Sequence, residues 1–162
     1  MPVFYGTFES GLDGKRRVSI PASFRNRIES DPDSGREKMI ALFPSPEPDY
    51  PTVFGCTFSM VEMLPQVQVK LAGESVDIRR TASKIFRSIL EHRIDDTGRI
   101  VLNSKLVTAA HLEKKVYFHG QGHFFEIWPT EDVDDYFEAE EASLTRRILM
   151  LMTEQAASAG LA

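Results

Sequence analysis

The sequence predicts an α+β fold in which two small β units intertwine about a pseudo-two-fold axis, with one helix between the units and more helices at the C-terminal end. Three observations carry that expectation. First, sliding the chain by 82 residues lays LDGKRRVSIPASFR (12–25) over IDDTGRIVLNSKLV (94–107). Leu12 then matches Ile94, Asp13 matches Asp95, Arg17 matches Arg99, and Val18, Ile20 and Phe24 match Ile100, Leu102 and Leu106. A repeat of this kind is one supersecondary unit used twice. Second, each copy has turn chemistry between apolar runs: Asp13-Gly14 in one, Asp95-Asp96-Thr97-Gly98 in the other, so each Asp-to-Arg segment should reverse the chain between two short strands. Third, a two-stranded unit this small buries too little apolar surface to stand alone. Strands of one copy are therefore expected to complete the sheet of the other, with Arg17 and Arg99 side by side on one edge.

The elements follow in order along the chain. After each strand a helix of two or three turns is expected. In the first copy Pro21 suits the first turn, with Phe24 and Ile28 four apart on one face; in the second Asn103 is the N-cap and Leu106 faces the core. KVYFHGQGHFFEIW (115–128) reads as strand, glycine turn, strand, and MIALF with VFGCTFSM is its equivalent in the first copy. The intervening PSPEPDYP reads as an exposed loop. DIRRTASKIFRSILEHR (77–93) places Ile85, Phe86, Ile89 and Leu90 at helical spacing, predicting an amphipathic helix that packs on the core with solvated arginines. Beyond Trp128, Thr130 is the expected N-cap of a helix bearing Val133, Tyr136 and Phe137 on one face. Leu144, Ile148, Leu151 and Met152 continue the helical pattern, and AASAGLA (156–162) is expected to be disordered. The implied organisation is a first unit over 7–54, a linker with an amphipathic helix over 55–88, a second unit over 89–132 and a C-terminal helix and tail over 133–162.

Charge is distributed unevenly. The 162 residues are 42% hydrophobic and carry a net charge of −5, enough for one core or two coupled ones. Over 11–28, however, Lys15, Arg16, Arg17, Arg25 and Arg27 oppose only Asp13, a local net of +4. Over 131–162 eight acids face Arg146 and Arg147, a local net of −6. A local basic stretch in an acidic chain points to a polyanion partner for that segment alone. The start of the chain lacks the basic and apolar run of a signal peptide and no stretch is long enough to span a membrane, so a cytoplasmic protein is expected. Cys56 is the only cysteine and reads as a small buried hydrophobe.

These residues resemble the MraZ family, the tandem-repeat branch of the SpoVT/AbrB-like, swapped-hairpin DNA-binding superfamily. The family pattern of Leu-Asp, one residue, Lys-Gly-Arg, an apolar-Ser-Ile-Pro-Ala run and a closing Phe-Arg is met by Leu12, Asp13, Lys15, Arg17, Ser19, Ile20, Pro21, Ala22, Phe24 and Arg25. The second copy carries Asp95, Gly98, Arg99 and Ile100, and later Phe125, Glu126, Ile127 and Trp128. The similarity spans about 3–28 and 89–137 and is faint over 44–75. It implies two intertwined swapped-hairpin β-barrel units and a bacterial transcriptional regulator that binds short direct repeats upstream of its own division and cell-wall gene cluster. It further implies a ring-like homo-oligomer associated with the nucleoid. Double-stranded DNA would be met by Asp13, Lys15, Arg16, Arg17, Arg25, Asp95 and Arg99, with Asp13 accepting from Arg17 and fixing its direction. Arginine suits two phosphate oxygens or O6 and N7 of guanine, whereas Lys15 is a flexible point charge suited to the backbone. The chain departs from the pattern in two places. Arg16 stands where the first copy usually has glycine, and Thr97, Asn103 and Val107 replace a basic residue, proline and arginine in the second copy, so the first copy is expected to dominate affinity.

Other classes find less support. The chain has no paired acid and base signature and no GxxxxGK[ST] loop, so catalysis and a cofactor are not expected. His119 and His123 lie four apart across a glycine turn without a third ligand, and read as exposed turn histidines rather than a metal site. The main rival is an antitoxin or a pure interaction module of the same fold, with the acidic C-terminal helix as its partner surface. The covalent tandem argues against it.

Overall fold

The computed structural model describes residues 2–30, 38–138 and 142–160. The first copy supplies β1 (Thr7–Gly11), β2 (Arg17–Ser19), α1 (Ala22–Ser30), β3 (Met39–Pro44) and β4 (Val53–Cys56). Three helices follow: α2 (Phe58–Val61), α3 (Leu64–Lys70) and α4 (Val76–Ser88). The second copy supplies β5 (Leu90–Arg93), β6 (Arg99–Val101), α5 (Ser104–Ala109), β7 (Lys115–Gly120) and β8 (Phe125–Trp128). A 3-10 turn, Asp134–Glu138, and α6 (Ala142–Ser158) complete the chain.

Six strands form one antiparallel sheet in the order β1-β7-β8-β4-β3-β5, and β2 pairs with β6 in a separate two-stranded ribbon. The order reads the same from either end when each strand is exchanged for its counterpart in the other copy, with β4 and β8 meeting at the middle. The strands on either side of each Asp-to-Arg turn do not zip together. Leu12 and Val18 share a single bridge, while β1 takes β7 and β2 takes β6 as ladder partners.

Both faces of the sheet are covered, which is why β4 and β8 are buried throughout. Alternation along β3 sends Ile40 and Leu42 to one side, and Ala41 and Phe43 to the other. On the first side they meet Phe24 and Ile28 of α1, Leu106 of α5 and Val18 and Ile100 of the ribbon. On the second side the core is closed by α2, α3, α4 and α6 through Met60, Leu64, Ile85 and Ile148. Asn103 caps α5 as expected, its Oδ1 accepting from Lys105 N–H (2.9 Å), and Leu106 is buried. Cys56 is buried too, and burial pushes its thiol up to about 12.

Several expectations need correction. The helix expected over 77–93 ends at Ser88, and residues 90–93 become β5 because β3 offers them a ladder. Its buried stripe is Ile78, Ala82 and Ile85; Phe86 falls off that stripe and is 49% exposed. The proline-rich segment is not an exposed loop: Tyr50 is buried, stacked on Phe54 and edge-on to Trp128. The short α3, with Pro65 in its first turn, was not anticipated. Over 130–138 the chain forms a 3-10 turn rather than the expected helix, and its amide at Asp134 is met by the Asp132 carboxylate (3.2 Å) rather than by a Thr130 cap; the Phe137 side chain lies outside the description. In the expected tail, residues up to Ser158 belong to α6 and Ala156 is buried, while 161–162 lie outside the described residues. His119 is not exposed either: it is a buried β7 residue, and burial lowers its pKa.

Sequestered at the centre is an ion pair. Glu126 of β8 is fully buried and accepts from Arg146 of α6 at both carboxylate oxygens (2.6 and 2.9 Å). The Tyr50 hydroxyl donates to the same carboxylate (3.1 Å) and accepts from Arg146 Nε (2.9 Å). Burial pushes the Glu126 carboxyl up to about 7, against the pull of the guanidinium. Tyr50 is raised as well, by burial first and then by the carboxylate beside it.

Candidate nucleic-acid interface

Each Asp-to-Arg turn is organised by its aspartate. In the first, Asp13 Oδ1 accepts from the N–H groups of Lys15 (2.9 Å) and Arg17 (2.8 Å), and its Oδ2 accepts from Arg17 Nε (2.7 Å). The backbone closes through Arg16 N–H to Asp13 O (3.0 Å) and Asp13 N–H to Arg17 O (3.1 Å). Short acidic side chains do this because they reach their own downstream amides. Those bonds, from the Arg17 amide above all, hold the Asp13 carboxyl down to about 2. Asp95 repeats the arrangement, accepting at Oδ1 from Thr97 N–H (2.8 Å), Thr97 Oγ1–H (2.7 Å) and Arg99 N–H (3.0 Å), and it too is lowered to about 2. The two turns differ in one respect. Arg99 Nε donates to Thr97 Oγ1 (3.0 Å) and stands 3.6 Å from Asp95, so the threonine takes the bond that Arg17 makes directly.

The turns are joined by the ribbon. Arg17 pairs with Val101, Val18 with Ile100 and Ser19 with Arg99. Val18 and Ile100 are buried, which puts Arg17, Ser19, Arg99 and Val101 together on the outward face. Arg17 and Arg99 therefore share a face but are not side by side: they sit at diagonal corners, roughly 7–8 Å apart along the sheet. The ends of the ribbon are sealed across the copies, Ile20 N–H donating to Gly98 O (2.9 Å) and Leu102 N–H to Arg16 O (2.8 Å).

The remaining cations divide by partner. Lys15 is exposed on the first turn. Arg25 of α1 donates from Nε to Ile20 O (3.1 Å), and Arg16 donates from Nε to Leu102 O (2.9 Å). Arg27 is drawn off to the ring of Tyr5, 4.5 Å from its centroid, and donates to the Tyr5 hydroxyl (2.5 Å). Sequence reasoning missed two lysines at the turns. The Lys114 carbonyl accepts from Leu12 N–H (2.9 Å), and the Lys38 carbonyl accepts from Ile94 N–H (2.7 Å) while its Nζ pairs with Asp96 (3.1 Å). Both reach the turns through cross-copy contacts, so no local signal could have found them. Among the described residues no group of three or more His, Cys, Asp or Glu side chains could hold a metal ion, and no helix is long and apolar enough to cross a membrane.

Residues 85–148 match the family model described as "MraZ protein, putative antitoxin-like". The transcriptional regulator MraZ of Rickettsia felis (strain ATCC VR-1525 / URRWXCal2) is 30% identical over 152 residues, which cover 91% of this chain and 98% of the relative. The chain belongs to the MraZ family. The proteins of the same name from Rickettsia bellii (strain OSU 85-389) and Rickettsia peacockii (strain Rustic) are 29% and 28% identical over 153 and 141 residues. The match covers 91% and 87% of this chain and 98% and 91% of those relatives. The MraZ family-model match takes in the second Asp-to-Arg turn.

Proposed function

We propose that this MraZ-family chain is a transcriptional regulator that binds double-stranded DNA with the outward face of the β2·β6 ribbon and its two turns. The observation that carries the reading is the ribbon itself: Arg17 and Arg99 on one outward face, each directed by an aspartate-organised turn. The major groove of B-DNA admits a two-stranded ribbon. In that pose Arg17 and Arg99 reach guanine edges or the nearest phosphates, Val101, 55% exposed, is available to a thymine methyl, and Lys15, Arg16 and Arg25 meet flanking phosphates. Asp13 and Asp95 orient rather than touch: both oxygens of Asp13, and Oδ1 of Asp95, are already engaged by the turns.

The two copies, over 7–54 and 89–132, constitute swapped-hairpin units of the SpoVT/AbrB-like type, joined by a linker over 55–88 and followed by a C-terminal helix and tail. The palindromic strand order and the cross-copy pairing of β1 with β7, β2 with β6 and β3 with β5 support this organisation. The DNA partner is a set of direct repeats upstream of the protein's own division and cell-wall gene cluster, and a ring-like homo-oligomer in the cytoplasm, at the nucleoid, engages several repeats at once. Such multivalency lets weak basic edges on an acidic protein reach useful avidity through effective concentration. The relatives' name supports regulation of transcription.

The test is binding of the full chain to the duplex upstream of its own gene and to a scrambled duplex, at two salt concentrations. Preference for the native duplex with steep loss at higher salt is expected, and Arg17→Ala should lose much of that preference while staying folded. Equal, salt-insensitive binding to both duplexes refutes the reading. The matched model's own description favours a second reading, an antitoxin-like module. Copurification of a small toxic nuclease, with no operator preference, would select it.

A further inference from the structure

Two departures between the copies turn out to be one. At an offset of 82 residues, Arg16 of the first turn corresponds to Gly98 of the second, and Arg25 of α1 corresponds to Val107 of α5. The first copy thus has two arginines where the second has residues without charge. The guanidiniums nevertheless end on matched atoms. Arg25 Nε donates to Ile20 O (3.1 Å), Arg16 Nε donates to Leu102 O (2.9 Å), and Ile20 and Leu102 are themselves counterparts at the same offset.

Sterics explain why each end of the ribbon holds a single arginine. Arg25 lies across Gly98: a Cβ there would stand 2.0 Å from Arg25 Nη1 and 2.5 Å from its Cδ. A side chain on the turn at this position would therefore displace Arg25 from where it lies. At the other end the turn already carries Arg16, and the facing helix position is Val107, which lines the same groove and is too short to compete. Arg16 reaches its place from a left-handed backbone, φ 61°, where Gly98 has φ 81°. Glycine adopts that conformation freely and arginine does not. Arg16 thus brings to the Leu102 carbonyl, from a backbone position that favours glycine, the charge that Arg25 brings to the corresponding Ile20 carbonyl. The terminal Nη groups of both arginines bond to no described residue.

We infer that Arg16 replaces, in space, the helix arginine that the second copy lacks, so that the two ends of the ribbon present matched guanidiniums, Arg25 at one and Arg16 at the other, to two DNA phosphates. This rests on the DNA-binding reading above and gives each end of the ribbon one guanidinium, although Lys15 of the first turn still has uncharged Thr97 as its counterpart. Arg16 is a phosphate-contacting residue that belongs structurally to the second half-site although it is encoded in the first copy.

The test is a swap on the full chain. Fluorescence anisotropy is measured with a labelled duplex from upstream of the protein's own gene, across a salt series, for wild type, Arg16→Gly, Arg25→Val and the double variant Arg16→Gly/Val107→Arg. Arg16→Gly relieves the left-handed residue, so its melting temperature should hold or rise, which separates lost contact from lost fold. Arg16→Gly and Arg25→Val should each lower the salt slope by about 1, making the affinity lost between roughly 50 and 200 mM salt about 3.5-fold smaller. The double variant should recover the wild-type slope, its cation now arriving from the helix over a glycine turn as at the other end. An unchanged slope in Arg16→Gly, or a double variant no better than Arg16→Gly, overturns the inference while leaving a salt-sensitive, operator-preferring wild type in place. A wild type without salt dependence or preference overturns the DNA-binding reading as well.

Discussion

Replacing Arg146 by methionine strands a carboxylate. Glu126 is fully buried, and Arg146 meets both of its oxygens. Breaking a buried pair from one side costs about 3–5 kcal/mol, because the surviving charge loses its counter-ion and keeps only neutral donors, the Tyr50 hydroxyl and the Gln121 amide. The carboxyl has one escape, which is to take a proton, and the cost of that escape depends on pH. From its ordinary value of 4.5, protonation costs about 1.4 kcal/mol at pH 5.5 and about 5 kcal/mol at pH 8.5. The sign follows from the direction of the shift. Burial raises the folded-state value of Glu126 to about 7, so the folded chain holds a proton that the unfolded chain releases, and stability falls as pH rises from 4.5 through that value. Without the guanidinium the folded value climbs further and the loss continues above pH 7. Urea unfolding followed through Trp128, which is buried against Tyr50, reads this directly. Arg146→Met should be only modestly destabilised relative to wild type at pH 5.5, and its deficit should grow by up to about 2 kcal/mol at pH 8.5, because the wild-type carboxyl releases its own proton near 7. The double variant Glu126→Gln/Arg146→Met has no carboxylate to strand, and its deficit should be flat with pH. An equal deficit for Arg146→Met at both pH values would refute the reasoning and reassign Arg146 to packing alone.

Three further outcomes follow from the same structure. Gly55 sits where β4 crosses the sheet centre, and a Cβ there would stand 2.3 Å from Phe125 Cζ and 2.8 Å from Leu42 Cδ2; Gly55→Ala should cost about 1–3 kcal/mol, read as a melting temperature lowered by several degrees. Gly98→Ala puts a side chain at φ 81° and beneath Arg25, and should lose about 1–2 kcal/mol in chemical denaturation, whereas Gly14→Ala, with open space around it, should stay within about 0.5 kcal/mol of wild type. Asp13 and Asp95 are held down to about 2, so their turns are at full strength above the ordinary value of 3.8 and weaken as pH falls through 2; the amide shifts of Arg17 and Arg99 should titrate with that midpoint, not near 4.

Short-range chemistry was legible from the residues alone. The two Asp-to-Arg turns, α1 with Phe24 and Ile28 inward, the Asn103 cap and the strand pair over 115–128 all depend on contacts within a few positions, and each formed where the pattern put it. The sequence repeat carried more, because two copies of a unit too small to stand alone imply that the copies meet. What pairing each strand would choose was beyond local signals. Residues 89–93 continue a helical stripe by periodicity, yet they leave the helix because β3, some fifty positions earlier, offers them a ladder. Tyr50 sits in a segment rich in proline, which locally reads as loop, but Trp128 and Arg146 converge on it from distant parts of the chain. Glu126 is the one charged residue of β8, and only the packing of α6 over the sheet makes it a buried ion pair. Arg16 makes the same point at the candidate interface. Its identity in the sequence marks a departure from glycine, while the placement of its guanidinium is decided by the carbonyl of Leu102, 86 residues away, which the cross-copy ribbon brings within reach. Local backbone preference sets which turn or helix can form, but burial and hydrogen-bond satisfaction are properties of the whole chain, and they chose among those options here.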